Sequence, residues 1–185
     1  KLMGEMAQAI GKTREADEYR ALFAKIKAAF NQKYVKPDGA LTLDTQTAYA
    51  LALQFDLLPE DLRAVAARRL AAEVKSRGHL TTGFVGTPYL CHVLSRYGHA
   101  DLAYRLLLRE EYPSWLYPVK QGATTIWERW DGYVPGRGFQ DPAMNSFDHP
   151  PLASVGAFLY ACIGGIEPLA GRMPEPRCEE RYTIR

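Results

Sequence analysis

The segment TTIWERWDG, from Thr124 to Gly132, places Glu128 between two tryptophans, Trp127 and Trp130. A tryptophan ring offers a flat apolar face that can pack against the C–H face of a sugar ring. A carboxyl group held among such rings suits general acid or general base work. Glycoside hydrolysis normally needs two carboxyl groups, one on each side of the scissile bond. The segment therefore indicates one half of a sugar-cleaving site.

The same segment also allows a purely structural interpretation. Glu128 precedes Arg129, so the two charges could form only a salt-bridged pair. The tryptophans could serve only as core packing, because aromatic clusters are commoner in cores than in sites. Spacing alone does not separate the two interpretations.

His149, in the stretch MNSFDHP, is the second candidate. It stands next to Asn145, Ser146 and Asp148, and such a polar cluster could hydrogen-bond sugar hydroxyls. A lone histidine is more often a structural residue whose hydrogen bonds are satisfied inside the fold. Both possibilities stay open from the residues alone.

Other kinds of chemistry find little support in the sequence. The remaining histidines, His79, His92 and His99, have no matching carboxylates or cysteines, so no metal site is expected. The PGRG stretch lacks the lysine and the helix of a phosphate-binding loop. The chain has no G-x-S-x-G element for a serine nucleophile. No residue pattern implies a cofactor.

The composition is that of an ordinary globular domain. The chain has 185 residues and a formal charge of +2, from 23 Lys plus Arg against 21 Asp plus Glu. No basic run supports binding to nucleic acid or to a membrane surface. No apolar stretch is long enough to span a bilayer. Three widely spaced cysteines suggest idle thiols in a reducing compartment, so we expect a cytoplasmic location.

Helices are expected over most of the chain. Apolar residues recur at spacings of three and four, which places them on one face of each helix. Glycine and proline separate these stretches and predict the turns. Helices are expected after Thr13, after Asp44, from Pro59 to Gly78, from Thr87 to Gly98, and from Asp101 to about Arg109. The pairs recur at roughly 40 to 50 residues, as in stacked helical hairpins.

Residues 111–151 break this pattern. They contain all three tryptophans and no helical stripe of useful length. A loop of this length inside a compact domain is usually functional or disordered, and its aromatic content argues against disorder. An apolar helix, expected to be buried on both faces, follows from Leu152 to Ile163.

Several blocks of the chain together resemble the catalytic domain of bacterial α-L-rhamnosidases, glycoside hydrolase family 78. The blocks are TQTAYALAL (45–53), HLTTGFVGTPYL (79–90), DLAYRLLL (101–108), YPSWLYPVKQGATTIWERWDG (112–132), MNSFDH (144–149) and SVGAFLYACIGGIEP (154–168). The resemblance extends from about residue 1 to residue 168. It implies an all-α fold, the (α/α)6 barrel, and an inverting hydrolase that releases L-rhamnose.

The resemblance also implies roles for individual residues. Glu128 matches the general base that activates water, and His149 matches a histidine that contacts the bound rhamnose. Trp127 and Trp130 would be walls or supports of the sugar pocket. The implied partners are rhamnose-containing glycosides or oligosaccharides.

The sequence departs from the family pattern in three places. Pro150 and Pro151 follow His149, where the family usually has an aromatic residue and small residues. The segment that supplies the family's general acid is not found, so we expect that acid to lie outside this chain. After Ile166 the sequence becomes unfamiliar, and residues 169–185 are expected to be a polar tail or linker.

The number of helices leads to a related expectation. Twelve barrel helices with their connections need well over about 300 residues, whereas this chain offers six or seven helices. We therefore expect residues 1–168 to be the second half of a barrel. Two other functions stay open: a non-catalytic carbohydrate-binding remnant, and an (α/α)6 hydrolase for another sugar, such as a trehalase- or glucoamylase-like enzyme.

Overall fold

The computed structural model describes residues 1–168 and 182–184, and most of these residues are helical. Six helices precede the long irregular region, and a short seventh helix lies within it. They are α1 (Leu2–Ala9), α2 (Thr13–Tyr34), α3 (Gln46–Gln54), α4 (Glu60–Arg77), α5 (Thr87–Arg96), α6 (Ala100–Leu107) and the short α7 (Leu116–Lys120). The five helices predicted between Thr13 and Arg109 are confirmed, with ends within a few residues of those expected.

The remaining elements are short. Strands β1 (Tyr133–Val134) and β2 (Gly138–Phe139) form an antiparallel ribbon. A single 3-10 turn follows at Pro142–Met144. The final helical segment runs from Pro150 to Ile163 as a 3-10 turn (Pro150–Ser154), α8 (Val155–Phe158) and a π-helical turn (Leu159–Ile163). Strand β3 (Ile166–Pro168) pairs with β4 (Tyr182–Ile184), which lies in the expected tail.

Local chemistry explains where the helices start and stop. The Thr45 side chain accepts a hydrogen bond from the Ala48 N–H at 3.2 Å and so caps α3. Gly78 ends α4 in the left-handed conformation, with φ of 69°, which glycine adopts without steric cost. Gly98, with φ of 82°, follows α5 in the same way.

The helices pack as antiparallel hairpins: α1 with α2, α3 with α4, and α5 with α6. The core lies where α3, α4 and α5 meet, and Tyr49 at its centre is fully buried. The Tyr49 hydroxyl accepts a hydrogen bond from the Leu41 N–H at 3.3 Å, so the buried polar group keeps a partner. Burial raises the pKa of this tyrosine.

The order of the hairpins gathers several loops at one end of the helices. α3 and α5 run in the same direction, because each is preceded by a helix that runs the opposite way, α2 before α3 and α4 before α5. The final helical segment runs parallel to α5, since His149 before it contacts Phe84 before α5, and Phe158 further along contacts His92. The loops 35–45 and 78–86 and the irregular region 108–149 therefore meet where these three helices begin.

The final helical segment differs from the expectation of full burial. Leu152 and Phe158 are buried, but Leu159, Tyr160 and Ile163 are exposed. The prediction of burial on both faces is wrong for these residues, because only one side of the segment packs against α5 and its neighbours in the part of the chain that the structure describes.

Two further sequence expectations concern thiols and membranes. Cys91 is buried, and burial raises its pKa to about 12, so this thiol stays protonated at neutral pH. Cys162 is exposed, and Cys178 lies outside the described residues. Among residues 1–168 and 182–184, no helix has the length and apolar character that crossing a bilayer requires.

The loop 78–86 is held tightly by contacts with α3. Fully buried Gln46 donates to the His79 carbonyl at 3.1 Å and accepts from the Thr81 N–H at 2.8 Å. At Gly86 an added Cβ would lie 2.7 Å from Thr47 Oγ1 and 2.9 Å from Thr82 Cγ2. At Gly83, three residues earlier in the loop, an added Cβ would meet no atom within 4 Å.

We expect Gly86→Ala to lower the free energy of unfolding by about 1–3 kcal/mol, because the added methyl group overpacks the buried loop. Gly83→Ala is the matched control and should change the free energy by less than about 0.5 kcal/mol. Urea unfolding of both variants measures the difference. Equal stabilities for the two variants would contradict the tight packing at Gly86.

Candidate functional site

Two segments of the irregular region lie side by side and form the candidate site. The Glu128 N–H donates to the Ser146 carbonyl at 2.9 Å, and the His149 N–H donates to the Ile126 carbonyl at 2.9 Å. The Thr125 hydroxyl also donates to the Phe147 carbonyl. The structure therefore brings together the two sequence blocks that contain the predicted residues Glu128 and His149.

The Glu128 carboxylate is held by the backbone of the neighbouring segment. Its Oε2 atom accepts a hydrogen bond from the Ser146 N–H at 2.9 Å. Residues 128 and 146 are thus joined in both directions, once through the backbone and once through the carboxylate. Within the described residues, Oε1 accepts no hydrogen bond and no cation pairs with this carboxylate. One oxygen is positioned, and the other is available to a ligand.

Arg129 does not pair with Glu128, although it follows it in the chain. Its guanidinium contacts Asp131 through two hydrogen bonds, Nε to Oδ1 at 3.0 Å and a terminal nitrogen to Oδ2 at 3.3 Å. The hydrogen bond with Asp131 raises the pKa of Arg129, so the guanidinium is charged at any physiological pH. The structural interpretation of Glu128 as half of a salt bridge with Arg129 is therefore wrong.

Trp127 points into the protein. It is 6% exposed, and its ring meets the edge of Phe147 with the centroids 5.3 Å apart. The contact joins the two segments of the site through apolar packing. In this geometry Trp127 supports the loops of the site from inside the protein.

Trp130 anchors the site to the helices. Its indole N–H donates to the Thr82 carbonyl at 3.1 Å, which connects it to the loop 78–86. Its ring meets Trp115 edge-on at 5.4 Å, and the Trp115 indole donates to the Leu152 carbonyl at 2.9 Å. Trp130 remains only partly buried. The tryptophans thus combine packing against the core with a position next to Glu128.

His149 is partly buried beside an aromatic ring. Its imidazole meets the ring of Phe84 at a tilt of 63°, with the centroids 6.1 Å apart. Its backbone N–H is fixed by the Ile126 carbonyl, so the two prolines that follow do not detach it from the site. The departure from the family pattern at Pro150 and Pro151 leaves His149 next to the Glu128 segment.

Asn145 acts inside the protein rather than at the surface. It is 8% exposed, and its amide nitrogen donates to the Gly132 carbonyl at 2.9 Å and the Gln140 carbonyl at 3.4 Å. An added Cβ at Gly132 would lie 2.8 Å from Asn145 Oδ1, so the backbone approaches the amide very closely. The amide donors of Asn145 are thus used to clamp the loop.

A small cavity and a larger groove differ in their position relative to Glu128 and His149. A cavity of about 30 Å³ lies beneath the segment 125–130 and is lined by Trp115, Trp127 and Trp130, among others. A larger groove of about 470 Å³ is lined by residues of α4 and α6 and includes neither Glu128 nor His149. Neither cavity is lined by Glu128 or His149, so the chemistry of these residues, and not a cavity, marks the candidate site. In the described part of the chain, no group of three or more potential metal ligands occurs.

Sequence reasoning missed the residues that hold the site together. Gln46, Thr82 and Gly132 carry no recognisable chemistry in the sequence, because each acts through a backbone contact that forms only in the fold. Phe84 belongs to the block HLTTGFVGTPYL (79–90), yet only the structure shows that it is exposed beside His149.

Comparison with known proteins gives consistent results. Residues 1–163 match the family described as the bacterial alpha-L-rhamnosidase 6 hairpin glycosidase domain. A Streptomyces avermitilis alpha-L-rhamnosidase is 49% identical over 168 residues, which are 90% of this chain and 16% of that protein. A Formosa agariphila alpha-L-rhamnosidase is 43% identical, over 91% of this chain and 18% of that protein. The chain therefore spans less than a fifth of the length of these relatives.

Solved structures agree with the sequence matches. The crystal structure of the Streptomyces avermitilis enzyme complexed with L-rhamnose has a TM-score of 0.84 and covers 90% of this chain and 16% of its own. An Aspergillus terreus alpha-L-rhamnosidase has a TM-score of 0.85 at 38% identity, with coverage of 90% and 20%.

We expect Asn145→Ala to lower the free energy of unfolding by about 1–3 kcal/mol, because two loop carbonyls lose their buried donor. Ser146→Ala is the control, since the contact of Ser146 with Glu128 uses its backbone N–H, which alanine keeps. Urea unfolding should separate the two variants, and limited proteolysis should cut the region 124–149 faster only in Asn145→Ala. Identical behaviour of both variants would remove Asn145 as the clamp.

Proposed function

Because the chain belongs to the family of bacterial alpha-L-rhamnosidase six-hairpin glycosidase domains, we propose that it is part of the catalytic domain of an α-L-rhamnosidase. The enzyme would hydrolyse terminal α-L-rhamnosides with inversion of configuration. Glu128 would be its general base. The general acid would come from outside the site described here.

Family membership confirms the all-α, (α/α)6 fold class that was expected from the sequence. The described residues form three hairpins and one further helical segment, whereas the family is named for six hairpins. That residues 1–168 are the second half of the barrel, and that 169–185 are a tail or linker, stay predictions.

The arrangement around Glu128 is the observation that most strongly supports the proposal. A general base needs a free oxygen in a fixed direction, and a cation bound to the carboxylate would weaken it as a base. The Ser146 N–H orients Oε2, while Arg129 is occupied by Asp131. Glu128 therefore has one oriented oxygen and one oxygen that is available to a water molecule.

The proposed reaction uses Glu128 in a single displacement. Glu128 takes a proton from a water molecule. The oxygen of that water attacks the anomeric carbon on the face opposite the leaving group. The second carboxyl group donates its proton to the glycosidic oxygen as that bond breaks. The two carboxyl groups of an inverting enzyme stand roughly 6.5–9.5 Å apart, which leaves room for the water.

The other predicted residues would bind and shape the sugar. We assign His149 to a rhamnose hydroxyl, since its backbone N–H is bonded to the Ile126 carbonyl, two residues before Glu128. Trp130 would form part of the pocket wall, and buried Trp127 would support the loop from behind. L-Rhamnose is favoured over another sugar because the similar proteins described above are α-L-rhamnosidases.

Glu128→Gln should lower kcat/KM for 4-nitrophenyl α-L-rhamnoside by about 10²–10⁴-fold, because glutamine cannot accept the proton of the water. Its amide oxygen can still accept the Ser146 N–H, so we expect little change in stability. The assay uses the product of the complete reading frame that contains this chain. Glu110→Gln is the control, since Glu110 pairs with Lys120 at the surface. A Glu128→Gln enzyme with near-normal turnover would exclude Glu128 as the base.

The stereochemistry of the product gives a separate check. A single displacement on an α-L-rhamnoside releases β-L-rhamnose first, because the water enters from the opposite face. Proton NMR during the first minutes of hydrolysis should therefore show the β anomer before mutarotation. Initial release of the α anomer would mean that the reaction retains configuration, and the general-base role would be lost.

A further inference from the structure

Phe84 is a large apolar residue that is exposed at the candidate site. Its side chain is 45% exposed, and the adjacent Val85 is 54% exposed, at the end of the helices where the candidate site lies. A single exposed apolar residue needs no explanation. Here the ring stands beside His149, with the centroids 6.1 Å apart.

The exposure of Phe84 does not come from a loosely held loop. The preceding Thr82 is buried, its hydroxyl contacts the Thr87 hydroxyl at 2.8 Å, and its carbonyl accepts from the Trp130 indole. Thr81 is held by Gln46. The backbone on both sides of Phe84 is therefore fixed, and the ring is presented outward from a rigid support.

The same histidine connects this ring to the Glu128 segment. The His149 N–H donates to the carbonyl of Ile126, two residues before Glu128, at 2.9 Å. The exposed Phe84 ring thus forms an apolar patch beside His149. The Glu128 segment beside it is polar, so the site presents a polar part and an apolar part to one ligand.

L-Rhamnose has a matching division of its surface. It is a 6-deoxy sugar, so its ring hydroxyls are polar and its C6 is a methyl group. Phenylalanine has no hydrogen-bonding atom, and a hydroxyl placed against it would lose its water without gaining a partner. A methyl group in the same place gains apolar contact.

We propose that Phe84 is a specificity-determining residue that selects a 6-deoxy sugar by packing against its C6 methyl group. The inference rests on the proposed function and adds to it the atom that Phe84 recognises. Apolar pockets discriminate against an added hydroxyl by only about 10²-fold, which sets the size of the effect to be measured. An aromatic aglycone is the competing occupant, and the test distinguishes the two.

The test compares two substrates that differ only at C6. These are 4-nitrophenyl α-L-rhamnopyranoside and 4-nitrophenyl α-L-mannopyranoside, which carries a hydroxyl on C6 and the same aglycone. The quantity measured is the ratio of their kcat/KM values with the product of the complete reading frame. Partial misfolding of a variant cancels in this ratio, because both substrates are measured on one preparation.

Phe84→Ser should lower the ratio of kcat/KM for the rhamnoside to kcat/KM for the mannoside about 10-fold or more. The serine hydroxyl, and the space left by the phenylalanine ring, can accept a 6-hydroxyl. Phe84→Leu keeps an apolar surface and should retain the ratio within about 2-fold. Leu108→Ser is the control, because Leu108 is an exposed apolar residue of the groove lined by α4 and α6, which includes none of Phe84, Glu128 and His149.

Two results would overturn the inference in different ways. A wild-type enzyme without activity on the rhamnoside would remove the proposed function, and this assignment with it. An active wild type whose Phe84→Ser variant keeps the ratio, or loses equally on both substrates, would overturn the assignment alone. The second result would place Phe84 against the aglycone or in a purely structural role.

Discussion

The site depends on the pairing of the segment 126–128 with the segment 146–149. Backbone hydrogen bonds at both ends align the two, and the Ser146 N–H also holds the Glu128 carboxylate. A loop region of this length has many backbone groups that need partners, and here the segments supply them to each other. The same bonds therefore satisfy the backbone and orient the reactive group. Packing of Trp127 on Phe147 and the Asn145 clamp on Gly132 stabilise this one arrangement.

The helices make that arrangement rigid by giving it fixed points of attachment. Trp130 is tied to the loop 78–86, and Trp115 to the start of the final helical segment. Gln46, on the first turn of α3, holds the loop 78–86 from below. Each contact pairs a buried polar group, whose loss is costly. The irregular region thus inherits its precision from helices that begin at the same end of the fold.

The structural and functional interpretations of the tryptophans are compatible in this protein. Trp127 is buried and packs within the loop, while Trp130 and Trp115 pack against the core cluster. Such packing excludes water and fixes the residues between the rings. Glu128 gains its direction from this framework, and no cation among the described residues pairs with its carboxylate. An aromatic cluster can therefore support a site even where its rings are mostly buried.

The sequence by itself determined the helices, their approximate ends and the presence of a long irregular region, because these follow from apolar periodicity and from turn residues that act over a few positions. It also identified the block that contains Glu128 and the block that contains His149. Only the tertiary structure decided that Arg129 pairs with Asp131, that Asn145 faces inward, and that Phe84 faces outward. Each of these outcomes depends on which segments meet across the fold. Residues 128 and 146, for example, are 18 positions apart, and no local preference of either residue specifies that contact.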